Sequence, residues 1–132
     1  METSSLVIFH VQDFKKEKQI TKLCSQLGLR TRKLNQNDIN QKVGVLAGMK
    51  EQKGTRDGMG MKAPAGYQLP EVMIFSGVPD SVLDQFLMEY KKAGTAPVAL
   101  KAIVTPYNIT WTLYELIGEL VRERAAIILG KK

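Results

Sequence analysis

Few residues of this chain belong to types that perform chemistry. His10 is the only histidine and Cys24 the only cysteine. His10 lies near the end of an apolar run at 6–11, with Gln12 and Asp13 directly behind it. Ser76 and Gly77 close a second apolar run that begins at Val72, and Asp80 follows three residues later. An imidazole titrates near neutrality, so His10 beside Asp13 or Ser76 would suit a small hydrolase or isomerase of an anionic substrate. Spacing identifies no second catalytic partner, and a hydrogen-bonded structural histidine is the preferred reading. Asp13 and Asp80 each precede a helical stretch and read most simply as helix caps. Cys24 falls on an apolar helical face, where cysteine acts as a small hydrophobe and not as a nucleophile. The sequence has no glycine-rich phosphate loop, GxGxxG, CxxC, HExxH or His/Cys cluster. No cofactor and no metal are therefore expected, and an enzyme is the less favoured class.

Charge points to a different chemistry. The net charge is +6, and it is lopsided: residues 1–69 hold twelve Lys and Arg against six acids, residues 70–132 seven against seven. Arg30, Arg32 and Lys33 form one cluster, Lys15, Lys16 and Lys18 another, and Lys50, Lys53, Arg56 and Lys62 dot the segment beyond. A one-sided positive field favours anionic partners, so nucleic-acid binding through Arg30, Arg32 and Lys33 is an alternative function. No aromatic interleaves these clusters, which removes the stacking platform for single strands and leaves a solvated face as the plainer reading. No apolar run approaches a membrane span, and the N-terminal run lacks the basic lead and cleavage site of a secretory signal. One lone cysteine fits a reducing compartment. The expectation is a cytoplasmic protein with no membrane partner.

The elements that would position these residues occur twice. Apolar run, Asp, amphipathic stretch, Gly, second strand and short periodic stretch appear in the first half and again in the second. Ile8-Phe9 falls on Ile74-Phe75, Gly28 on Gly94, and Asp38-Ile39 on Asn108-Ile109. Ile20, Leu23, Cys24 and Leu27 follow helical spacing and end at Gly28; Val82, Leu83, Phe86, Leu87 and Tyr90 do the same before Gly94. Ser81 with Asp84, and Thr112 with Glu115, have the spacing of capping boxes, and Asn35 to Asp38 is turn and cap chemistry. The reading is one α/β domain over 1–132, with repeat one at 5–48, a Gly/Pro-interrupted flexible linker at 49–70 and repeat two at 71–126.

Right-handed crossovers and an approximate two-fold suggest a four-stranded, mainly parallel sheet of order 2-1-3-4 with helices on both faces. If strands one and three run parallel at the centre, the crossover helices take opposite faces. The crevice at the strands' C-terminal ends then becomes the switch point where open α/β sheets bind ligands. His10 and Ser76 would meet there, with Lys101, Thr105, Asn108 and Trp111 one strand outward, and Asn35 and Asn37 on the other flank. The favoured function is a binding or regulatory module with a small anionic ligand at that edge. Asn108 is the residue that capping does not explain; a positive φ or a ligand contact would each account for it. Apolar residues continue through 125–129 too closely spaced for one helical face, which suggests a weak homodimer.

The stretch Ala99-Leu100-Lys101-Ala102-Ile103-Val104-Thr105-Pro106-Tyr107-Asn108-Ile109-Thr110-Trp111-Thr112-Leu113 resembles the hallmark of a small bacterial family known only as domain-of-unknown-function family 3783. The likeness runs over about residues 72–125 through its Leu-Lys-Ala, Thr-Pro-x-Asn and Trp-Thr-Leu elements. It implies no activity, and it marks the 105–111 loop as the distinctive surface.

Overall fold

The structure, a computed structural model, describes residues 5–49 and 62–128, with side chains through 124. In chain order the elements are β1 (Leu6–His10), α1 (Phe14–Leu27), β2 (Arg30–Lys33), a 3-10 turn (Gln36–Asp38), α2 (Val43–Leu46), β3 (Val72–Ser76), α3 (Asp80–Lys92), β4 (Leu100–Ile103) and α4 (Leu113–Ile128). They form two compact units, Met1–Leu34 with Pro70–Ile103 and Asn35–Leu69 with Val104–Lys132.

The first unit is the sheet with α1 and α3. Strand order is β2-β1-β3-β4, as expected, and two of its three pairings are parallel. The central pairing is antiparallel, with Ile8 opposite Ile74, Leu6 opposite Ser76 and His10 opposite Val72. This corrects the parallel centre expected from the duplication. A two-fold along the strands and a two-fold normal to the sheet both relate right-handed βαβ units, and both give the order 2-1-3-4. The first keeps β1 and β3 parallel and exchanges faces; the second reverses strand direction and keeps both helices on one face. This chain takes the second, so α1 and α3 share a face instead of covering opposite ones. Val7, Phe9, Met73 and Phe75 from the sheet pack with Ile20, Leu23 and Cys24 of α1 and with Phe86 and Tyr90 of α3. Phe75 and Phe86 meet edge to face at 5.5 Å. Phe9 and Phe86 are fully buried, each contributing about 2–3 kcal/mol of apolar burial.

Local chemistry sets the helix ends. Asp13 caps α1 by accepting the Lys15 N–H at 2.9 Å. Gly28 stops it in the left-handed region, φ 74°, which lets the Leu29 N–H reach the Cys24 carbonyl at 2.8 Å. α3 differs from expectation: it begins at Asp80 behind Pro79, so Asp80 and Ser81 lie inside the helix and neither is its N-cap. β2 is an edge strand with all four residues exposed.

The second unit is built from two short segments that exchange identical hydrogen bonds. Val43 N–H donates to Trp111 O and Leu113 N–H to Gln41 O, both at 2.8 Å. Gly44 N–H donates to Ile109 O and Tyr114 N–H to Ile39 O, both at 2.9 Å. An antiparallel bridge, Lys42 to Thr112, lies at their centre. Thr112 and Glu115 form the expected capping box, each side chain accepting the other's N–H, at 3.1 and 2.9 Å. Of the stretch expected as a linker, 62–69 is tied to this unit. The Gln36 amide donates to Tyr67 O and accepts the Leu69 N–H, and the Tyr67 ring meets Tyr114 at 5.0 Å. Residues 50–61, and the side chains of the 125–129 segment read as a dimer surface, lie outside the described residues.

Candidate functional site

Strand direction decides which candidates meet. His10 ends β1 beside Val72, whereas Ser76 is buried opposite Leu6. Four residues of strand separate their positions, roughly 13 Å. His10 and Ser76 are therefore not brought together, and the crevice at a common C-terminal edge does not form. At the His10 end the neighbour is one the sequence reading missed, Glu71. Its carboxylate accepts the Gln12 N–H at 2.9 Å and pairs with Lys16 Nζ at 2.5 Å. Partial burial works to raise the Glu71 pKa, but the Gln12 N–H, the Lys16 ammonium and the nearby His10 hold it below the usual carboxylate range. Glu71 directly precedes the β3 apolar run, so an antiparallel β1/β3 pairing is the signal that would have placed it beside His10.

His10 Nδ1 lies 3.1 Å from the Pro70 carbonyl. A carbonyl can only accept, so this contact places a proton on Nδ1. Asp13 spends an oxygen on the α1 cap. Tyr90 donates its hydroxyl to Ala96 O at 2.9 Å; burial, then the charges of Glu71 and Asp13, raise its pKa. Cys24 is fully buried and its thiol is pushed up to about 12 by desolvation, which excludes a thiolate nucleophile at neutral pH. Among the described residues no three His, Cys, Asp or Glu side chains group to hold a metal ion.

The cationic candidates lie along the β2 edge and α1, with Lys33 opposite Phe9. Arg30, Arg32 and Lys33 are exposed, and Lys33 Nζ pairs with Glu17 at 3.0 Å. Lys18 sits 5.8 Å from the centre of the exposed Phe14 ring. On the far edge strand, Lys101 turns its ammonium onto Val98 O at 2.7 Å.

In the second unit the 105–111 loop is closed by its own side chains. Asn108 is buried, and its Oδ1 accepts the Thr105 N–H at 3.0 Å, while Thr105 Oγ1 accepts the Tyr107 and Asn108 N–H groups, each at 3.2 Å. Asn35 and Asp38 repeat the device: Asp38 Oδ2 accepts the Asn35 N–H and Asn35 Oδ1 accepts the Asn37 N–H, both at 2.9 Å. Among the described residues every positive φ belongs to glycine, so backbone geometry does not account for Asn108, and its bond to the Thr105 N–H within the loop gives it a structural role. Trp111 is half-buried and contributes its backbone to the exchange with Val43 and Asn108. Thr110 Oγ1 is the one buried side-chain polar atom without a partner among the described residues. Tyr107, at the loop tip, is 80% exposed.

Residues 71–127 match the family model described as Domain of unknown function (DUF3783). The DUF3783 match runs from Glu71 through α4, so it covers the closed loop and the capping box and takes in the stretch that carries the resemblance. It contains one partner of each reciprocal pairing, β3 and the 109–114 segment, and stops short of the other. No curated protein and no solved structure matches the chain. No helix among the described residues is long and apolar enough to cross a membrane.

Proposed function

We propose that the chain is a non-enzymatic, cytoplasmic binding module whose partner is anionic and docks on the cationic first half, along β2 and the exposed lysines of α1. The observation that carries this reading is the β2 edge. Arg30, Thr31, Arg32 and Lys33 are all exposed, and among the described residues β2 is an edge strand paired with β1. Alternation puts Arg30 and Arg32 on one side, roughly 6.6 Å apart along the strand. That row suits an extended anion better than a small one. Basic side chains on an edge strand also discourage edge-to-edge aggregation, which is compatible with binding.

Titration of the full chain with a generic single-stranded RNA and with inorganic polyphosphate, followed by fluorescence anisotropy, tests this. Affinity is expected to fall linearly with log salt, with a slope of about −0.7 per contacted phosphate for the RNA. Arg30→Glu with Arg32→Glu is expected to weaken binding by at least about tenfold at low salt with an unchanged circular dichroism spectrum. Binding that ignores both salt and the double substitution, or no binding to either probe, would overturn the proposal.

A further inference from the structure

The reciprocal pairings carry an inference independent of any anion. In the sheet, β1 faces β3 with Ile8 opposite Ile74, and Leu6 opposite Ser76 mirrors His10 opposite Val72. The two parallel pairings share a register: Leu6 opposite Arg30 and Ile8 opposite Arg32 in one half, Val72 opposite Leu100 and Ile74 opposite Ala102 in the other. In the second unit the same relation recurs about Lys42 and Thr112, where each of two hydrogen bonds has its mirror image. Both units are thus joints between one segment from 5–48 and its counterpart from 71–128. The DUF3783 match covers only the second set of segments.

The halves share strand register and joint hydrogen bonds and differ in the side chains at the joints. Counting back from the left-handed glycines, Gly28 and Gly94, Leu23 of α1 corresponds to Glu89 of α3. Leu23 is buried, and the two residues line one groove between α1 and α3. A copy of the second half in place of the first would put Glu89 into the apolar seat of Leu23, facing a second Glu89. In the other unit Gly44 corresponds to Tyr114. A Cβ at Gly44 would stand 2.9 Å from Ile109 O, so a side chain there would require the 109 backbone to shift, whereas the mirror position carries Tyr114. The Glu89 difference penalises pairing of the second half with its own copy and leaves pairing with the first half free of that cost.

We propose that residues 5–48 and 71–128 are two complementary half-domains fused in one chain, and that the face the second half turns to the joint recognises the first half and not a copy of itself. Insertion of a specific protease site between Lys53 and Gly54 of the full chain, followed by cleavage of the folded protein, tests this. The pieces are expected to co-elute at the mass of one uncut chain. After unfolding and separation in guanidinium, they are expected to regain the native spectrum only when mixed one to one. Glu89→Leu in the same cleavable chain is expected to shift the separated second piece toward twice its mass. Pieces that part on dilution to micromolar concentration, or fail to recombine, would overturn complementarity. A native-like homodimer of the unsubstituted second piece, or no gain of self-association with Glu89→Leu, would overturn the discrimination.

Discussion

Substituting Gly44 by Ala sets two effects of opposite sign against each other. Gly44 lies in α2, where Ala would ordinarily gain about 0.5–1 kcal/mol through helix propensity and the unfolded state. Against this, the added Cβ would meet Ile109 O at 2.9 Å and Ile109 Cβ at 3.2 Å. The carbonyl is backbone, so relief requires the 109–111 segment to move. That segment accepts the Gly44 N–H at 2.9 Å and the Val43 N–H at 2.8 Å. Losing or stretching these two buried bonds costs about 1–1.5 kcal/mol each. The net is a destabilisation of about 1–2 kcal/mol, or roughly 3–8 °C in Tm for a chain of this length. Urea unfolding should show a lower midpoint with an unchanged m-value. Gly118→Ala is the matched control: its nearest atom is an Arg122 guanidinium nitrogen at 4.0 Å, so it should gain about 0.5–1 kcal/mol. If Gly44→Ala is as stable as the parent, the close approach of the two segments is wrong.

Thr110→Val removes an unpartnered buried hydroxyl and should leave stability unchanged or raise it by up to about 1 kcal/mol; a loss on urea titration would mean that the hydroxyl has a partner. Asn108→Ala breaks the Thr105 contact and should cost about 1–2 kcal/mol, read by the same titration, without changing affinity for the anionic probes. Glu71 has a lowered pKa in the folded state, so its stabilising contribution is present above its unfolded value, about 4.3, and is lost as pH falls through the folded value. Glu71→Gln should therefore flatten the decline in Tm below about pH 5. Cys24, with its thiol raised to about 12, should resist a thiol-alkylating reagent at pH 8 in the folded protein and react promptly in guanidinium.

The α1 cap, the Gly28 stop and the Thr112–Glu115 box were legible because each rests on residues within a few positions of one another, and strand order because crossover handedness restricts it. The direction in which β1 meets β3 was not. Ile8 and Ile74 are fully buried, and a continuous apolar run looks the same in either orientation. More than sixty residues separate the two strands, so no turn chemistry fixes their sense. That single undetermined choice displaced Ser76 from His10, put Glu71 there instead, and moved α3 beside α1. The sequence aligned Asp38 with Asn108. The purpose of that match was not legible, because the bonds that explain it run from Thr105 to Asn108 and from Asn35 to Asp38 within loops whose closure depends on backbone geometry.

Backbone amide shifts of the full chain during titration with inorganic polyphosphate at low salt test the functional reading most directly. The expected result is saturable movement of residues 30–33 and of the α1 amides around Lys15, Lys18 and Lys22, abolished by about 300 mM salt, with 105–111 unmoved. Saturable shifts confined to the 105–111 loop or to residues 72–76, with β2 silent, would contradict it.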